Sequence, residues 1–217
     1  MRVSERRIVV VTAGLSTPSS SRLLADRLSS AVVADLAARD VTAVVTTIEL
    51  REYARDLMDN LITGFPSLRL ESMLADVAAA DGLVVVSPIF STSYSGLFKT
   101  FIDVLDPQAL AGVPVLIGAN AGTARHSLAI DYAIRPLFAY LHADAVPTGV
   151  FAASSDWGDA GGDAVRPLQE RIDRAAEELG DAVARRTPRP TPVDPFDPAS
   201  FGGGSSMGNM IGGLSGV

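Results

Sequence analysis

Three stretches of the chain, residues 7–13, 83–86 and 113–118, are almost wholly aliphatic and show no polar alternation. That is the pattern of strands covered on both faces, as in a parallel sheet. Residues 41–50 and 145–152 give two further strands. Between them the apolar positions recur at threes and fours, as on one face of a helix. Leu24, Leu28, Ala31 and Val32 mark one such stripe, and Leu97, Phe98, Phe101, Ile102 and Leu105 another. Ile130, Ile134, Leu137, Phe138 and Leu141 span residues 125–141, with a kink expected at Pro136. Residues 67–80 form a helix that stops at Asp81-Gly82. The last helix, residues 163–185, carries Val165, Leu168, Ile172, Ala175, Leu179 and Val183. The polar and acidic residues after 50, and the Leu-Ile-Thr-Gly-Phe-Pro that follows them, carry no element in this reading.

Five strands alternating with five helical regions require right-handed crossovers and a parallel sheet with helices on both faces. The expected fold is α/β: a flavodoxin-like, three-layer α/β/α sandwich around a five-stranded parallel sheet of order 2-1-3-4-5. Residues 1–186 form that domain. From residue 187 the composition turns to Pro, Gly and Ser, which cannot bury enough surface to offset the entropy of ordering, so residues 187–217 are expected to be a disordered tail. Phe201, Met207, Met210, Ile211 and Leu214 keep a rival open, a tail that docks on a neighbouring subunit.

Composition narrows the function. The 217 residues are 47% hydrophobic, enough for one sizeable core. There is no cysteine, hence no disulfide, thiolate nucleophile or thiolate metal site. The two histidines have no carboxylates at ligand spacing, so no metal constellation is expected. A net charge of −7 argues against nucleic acid as a partner. No apolar run approaches the roughly 20 residues that cross a bilayer, and the expected compartment is the cytoplasm.

In an open α/β sheet, ligands bind outside the carboxyl ends of the strands. Three loops fall there. The loop of residues 87–95 begins where Pro88, unable to donate to a sheet, ends its strand after Ser87; Ser93 or Ser95 then caps the next helix. The loop of residues 14–22 offers a glycine, five hydroxyls and an arginine at a helix N-terminus, where free N–H groups and the helix dipole favour a phosphomonoester. The alternative is a capped surface turn. The loop of residues 120–123 has small residues that let backbone approach a flat ring. Phe90 and Tyr94 are either ring contacts or loop anchors.

Other residues read more plainly. His126 is a titrating group beside the third loop or an exposed helix residue; His142 closes its helix. Lys99 and Asp103 are a solvated face; Trp157, the only tryptophan, lies after the fifth strand and has either a functional role or, as the preferred reading, that of a subunit or core anchor. A phospho-acceptor receiver domain is excluded, because the central strands end in Thr-Ala-Gly and Ser-Pro with no acceptor aspartate.

Three motifs, Gly-Leu-Ser-Thr-Pro-Ser-Ser-Ser-Arg-Leu-Leu, Ala-Asp-Gly-Leu-Val-Val-Val-Ser-Pro-Ile-Phe-Ser-Thr-Ser-Tyr-Ser-Gly-Leu-Phe-Lys, and Gly-Thr-Ala-Arg-His with Asp-Tyr-Ala-Ile-Arg-Pro behind it, occur in this order. In these the chain, over about residues 7–185, resembles the NAD(P)H-dependent FMN reductases of the flavodoxin-like superfamily. Within them it is most similar to those that supply two-component monooxygenases of the alkanesulfonate and luciferase-like kinds. The resemblance implies that Ser16, Ser19, Ser20, Ser21 and Arg22 hold the FMN phosphate. It further implies that the loop opening on Ser87, with Pro88, Ile89 and Phe90 and then Ser93, Tyr94, Ser95 and Gly96, borders the isoalloxazine, and that Asn120, Ala121, Gly122 and Thr123 complete the pocket. Many members read Gly-Ser-x-Arg in the first loop; here Leu15 follows Gly14 and no arginine stands two residues after Ser16.

The implied reaction is hydride transfer from NADH or NADPH to FMN, giving FMNH2 for a flavin-dependent, luciferase-like monooxygenase, with no obligatory protein acid, base or nucleophile. A homodimer or homotetramer is implied. So is a π-helical turn around Tyr94, at the start of the helix after the Ser-Pro loop. Two alternatives remain open: a reductase of quinones, azo compounds or metal ions that retains its FMN, and a non-enzymatic flavodoxin-type electron carrier.

Overall fold

The computed structural model describes residues 4–157 and 166–188. Its frame is parallel: β1 (Ser4–Thr12), β2 (Val41–Glu49), β3 (Gly82–Phe90) and β5 (Pro114–Ala121), with a fifth position shared by β6 (Asp144–Ala145) and β7 (Val150–Ala153). β1 lies between β2 and β3, β3 pairs β5, and β6 and β7 both pair β5. The expected strand order therefore holds. The fifth strand differs in being broken, because Pro147 has no N–H for the ladder between Ala145 and Val150.

Side chains alternate across the sheet and divide the core in two. Ile8, Val10, Val84 and Val86 face α1 (Ser20–Ala38) and α6 (Leu168–Arg185), meeting Leu24, Leu28, Ile172 and Leu179. Val9, Val11, Val85 and Ile117 face the other helices, meeting Leu57, Leu70, Phe98 and Phe138. These helices are α2 (Ala54–Thr63), α3 (Leu68–Ala78), α4 (Gly96–Val104) and α5 (Arg135–Tyr140). Among the described residues no helix is long and apolar enough to cross a membrane.

Four differences from the sequence reading have physical causes. α2 fills the stretch read as irregular; only Leu57 on it is buried, whereas Met58, Leu61 and Ile62 are exposed, so its apolar pattern marks no core face. β3 does not stop at Ser87. It continues to Phe90, because beyond Val86 its neighbour β1 has ended and proline is tolerated on a free edge. β3 then turns through Ser91 and Thr92 into a two-residue antiparallel strand, β4 (Ser93–Tyr94), so Tyr94 lies opposite Ile89 in a hairpin.

The π-helical turn is not at Tyr94. α4 begins as a regular helix, with Lys99 N–H donating to Ser95 O, and the π turn is Ile130–Ile134, where Arg135 N–H donates to Ile130 O. Pro136, next in the chain, has no N–H for the four-residue ladder, and the predicted helix over 125–141 divides into a short 3-10 turn (Ala124–His126), this π turn and α5. The start of the predicted last helix, residues 163–165, and the tail from residue 189 lie outside the described residues.

Candidate functional site

At the carboxyl edge of the sheet, β1 ends at Thr12 and the chain passes through Gly14 to Ser19, the N-cap of α1. Ser19 Oγ accepts from Arg22 N–H at 3.3 Å, one of the donors that every helix leaves free at its first turn. The loop lies hard against this cap: a Cβ on Gly14 would stand 1.9 Å from Ser19 Oγ and 3.2 Å from Ser21 Cβ. Glycine is thus required for the close approach. Below it, the Thr12 hydroxyl is buried and has no hydrogen-bond partner. An orphaned buried donor beside a helix N-terminus fits an incoming phosphate oxygen.

The expected phosphate ligands divide in their roles. Ser21 is buried, and its Oγ donates to Asn120 Oδ1 at 2.7 Å, joining α1 to the end of β5. Ser16 Oγ donates to Pro18 O, bracing the loop. Arg22 is held by Asp26 at 2.7 Å and Glu49 at 2.8 Å. Its pKa lies above the ordinary arginine value, first through the hydrogen bond to Asp26. Arg51, absent from the sequence reading, pairs with the same Glu49 at 3.0 Å and donates to Thr17 Oγ1. So an arginine does reach the first loop, from the segment after β2. Ser16, Ser19, Arg22, Glu49 and Arg51 border a cleft of about 250 Å³ on this side of α1.

On its other side, Ser20 opens into a second cleft of about 200 Å³. Pro88, Ile89 and Phe90 form one wall of it, and Asn120, Ala121 and Gly122 the floor. Ser154 and Trp157, at the two ends of a 3-10 turn after β7, complete it. Neither cleft alone reaches the roughly 300–1,000 Å³ of a whole-ligand site, so each suits one part of an extended ligand. Every residue lining the second cleft is uncharged. Sequence reasoning missed Ser154 and preferred an anchor's role for Trp157; the one signal for both was position, just after the fifth strand at the same sheet edge.

Other expected contacts are structural supports. Ser87 and Ser95 are buried: Ser87 Oγ donates to Pro88 O and accepts from Ser95 N–H, while Ser95 Oγ caps α4 at Phe98 N–H. Tyr94 packs on Phe98 with ring centroids 6.2 Å apart. Thr123 Oγ1 accepts from Arg125 N–H. Ser93, Tyr94, Gly96 and Thr123 line neither cleft, and neither does His126. Lys99 and Asp103 pair at 2.5 Å on a solvated face.

Comparison with known proteins places the chain in a family. The sequence profile of the NADPH-dependent FMN reductases matches residues 6–158. An NADH-dependent FMN reductase, SfnF, of Pseudomonas putida is 36% identical over 180 residues, covering 82% of this chain and 94% of that protein. An FMN reductase (NADPH) of Pseudomonas aeruginosa is 35% identical over 181 residues, 83% of this chain and 94% of its own length. An oxidoreductase of known structure from Corynebacterium diphtheriae superposes with a TM-score of 0.80 at 48% identity, over 84% of this chain and 99% of that one. The chain belongs to the NADPH-dependent FMN reductase family, flavodoxin-like oxidoreductases that use NAD(P)H and FMN.

Proposed function

We propose that the protein reduces FMN with NADH or NADPH and releases FMNH2 to a flavin-dependent, luciferase-like monooxygenase. The observation that carries this reading is the uncharged ring cleft beside a helix N-terminus: its lining offers no acid or base, and so no group to activate the Ser20 or Ser154 hydroxyl, while the neighbouring loop offers donors for a phosphate. When bound, FMN supplies the hydride-accepting centre itself.

What is left to the chain is positioning and electrostatics. The first-turn N–H groups of α1 that the Ser19 cap leaves free and the orphaned Thr12 hydroxyl would hold the phosphate end, with Ser20 between the phosphate and the ring cleft. Pro88, Ile89 and Phe90 keep water from one side of the ring. Ala121 and Gly122, small residues on the cleft lining, would let backbone approach the ring edge, where donors would stabilise the negative charge that reduction develops. Arg22 and Arg51, tied to Glu49, stiffen the first loop.

Two features support a flavin that leaves: the small size of the ring cleft and the 47% exposure of Phe90. One supports the rival that keeps FMN and reduces quinones, azo compounds or metal ions, namely a second aromatic residue, Trp157, at the same cleft. The flavin content of the freshly purified protein separates them. A colourless preparation that binds added FMN reversibly is expected; stoichiometric FMN surviving gel filtration would favour the rival. We also assign the protein to the cytoplasm and to a homodimer or homotetramer, the latter supported by Tyr132, 80% exposed on the π turn, and by exposed Leu128 and Tyr140 beside it.

A further inference from the structure

The 3-10 turn Ser154–Trp157 is anchored more firmly than a surface turn needs to be. Asp156, whose side chain is 6% exposed, accepts from Ala153 N–H at 2.7 Å and from Arg171 Nη2 at 2.6 Å. Arg171, on α6, also donates to Phe151 O, so one guanidinium fastens both the last strand and the turn. Trp157 follows directly. Its ring packs against the core between α1 and α6, and the guanidinium carbon of Arg27, on α1, stands 5.1 Å from its centroid. Arg27 has no carboxylate partner among the described residues, which leaves its charge to the indole.

So held, the indole lines the ring cleft. The sheet order puts β5 between β3 and β7, so Phe90 and Trp157 flank the β5 end from its two sides. An indole fixed by a half-buried ion pair behind it and a cation–π contact presents area to a flat ring without losing rotamer freedom on binding.

We propose that Trp157 is a flavin-contacting residue that sets how tightly FMN is held, with Arg27 as the positioning residue that holds its indole in place. This rests on the reading of the cleft as the flavin ring site. It assigns to the loop after the fifth strand a part that the phosphate and ring loops after β1, β3 and β5 do not supply.

The test uses the full chain and oxidised FMN, with binding measured by equilibrium dialysis and, independently, by emission of the sole tryptophan. In the wild type, both readouts are expected to saturate with the same dissociation constant. Trp157→Ala is expected to weaken FMN binding about tenfold, and Trp157→Phe to recover most of that loss. Arg27→Met is expected to weaken binding about threefold in the wild-type background and not at all beside Trp157→Ala. Unchanged affinity in Trp157→Ala, an emission that ignores FMN, or an Arg27→Met effect of equal size in both backgrounds would each overturn the proposal. Absence of FMN in the wild-type dialysis would overturn the ring-site reading itself, and this inference with it. Should Trp157→Ala fail to fold, Trp157→Leu takes its place in the dialysis, with the same tenfold loss expected, and Arg27→Met is read by dialysis and emission together.

Discussion

Ser21 Oγ donates to Asn120 Oδ1 at 2.7 Å, so the first turn of α1 and the end of β5 are fastened together at the carboxyl edge of the sheet. Neither residue is near the other in sequence. The bond fixes Asn120, which lines the proposed ring cleft, by means of a residue on the first turn of α1. Ser21→Ala and Asn120→Ala are each expected to weaken FMN binding about fivefold, in line with a net hydrogen bond of about 1 kcal/mol. The double variant is expected to lose little more than either single one. Additive losses in a double-mutant cycle, measured by FMN titration, would show that the two residues act separately.

The turn between β3 and β4 is strained. Ser91 has φ 48° and Thr92 φ 71°, left-handed conformations that a two-residue hairpin demands and that Asn-Gly adopts far more readily. Replacing the pair by Asn-Gly is expected to stabilise the protein by about 1 kcal/mol and to raise Tm by roughly 2–4 °C. A lower Tm would mean that Ser91 and Thr92 make contacts worth more than the strain.

Glu178 ties α6 to the gap in the broken fifth strand, accepting from Thr148 N–H and Thr148 Oγ1, both at 2.7 Å. Burial works to raise its carboxyl pKa, but the two bonds from Thr148, with Arg174, outweigh it and hold the group below the usual carboxylate value. A depressed folded-state pKa contributes stability that is present above the unfolded value of about 4.3 and is lost as pH falls through the folded value. Glu178→Ala is therefore expected to cost about 1–3 kcal/mol at neutral pH, with the gap to wild type narrowing as the pH is lowered past about 4. Denaturant unfolding across that range checks it; a gap that stays constant or widens on acidification contradicts the assignment.

The central strands were legible because β1, β3 and β5 are covered on both faces, which leaves no room for polar alternation. What the pattern hid had local causes. α2 turns Met58, Leu61 and Ile62 outward, so its apolar residues do not point to the core. The β3–β4 turn uses Ser-Thr instead of a glycine pair, which removed the usual hairpin signal. The loop proposed for phosphate was visible in its serines, but the internal hydrogen bonds of Ser87, Ser95 and Ser21 were not, since a hydroxyl reads the same whether it faces a ligand or a neighbouring strand. Arg51 and Trp157 reach the site from segments with no motif of their own, and only the fold brings them there.

The most direct test of the account is anaerobic oxidation of NADH and of NADPH by the flavin-free protein, followed at the nicotinamide and flavin absorption bands with and without added FMN. No oxidation is expected without FMN and, with it, one FMN reduced for each NAD(P)H consumed over many turnovers per protein molecule. Steady oxidation in the absence of added FMN, or none in its presence, would contradict it.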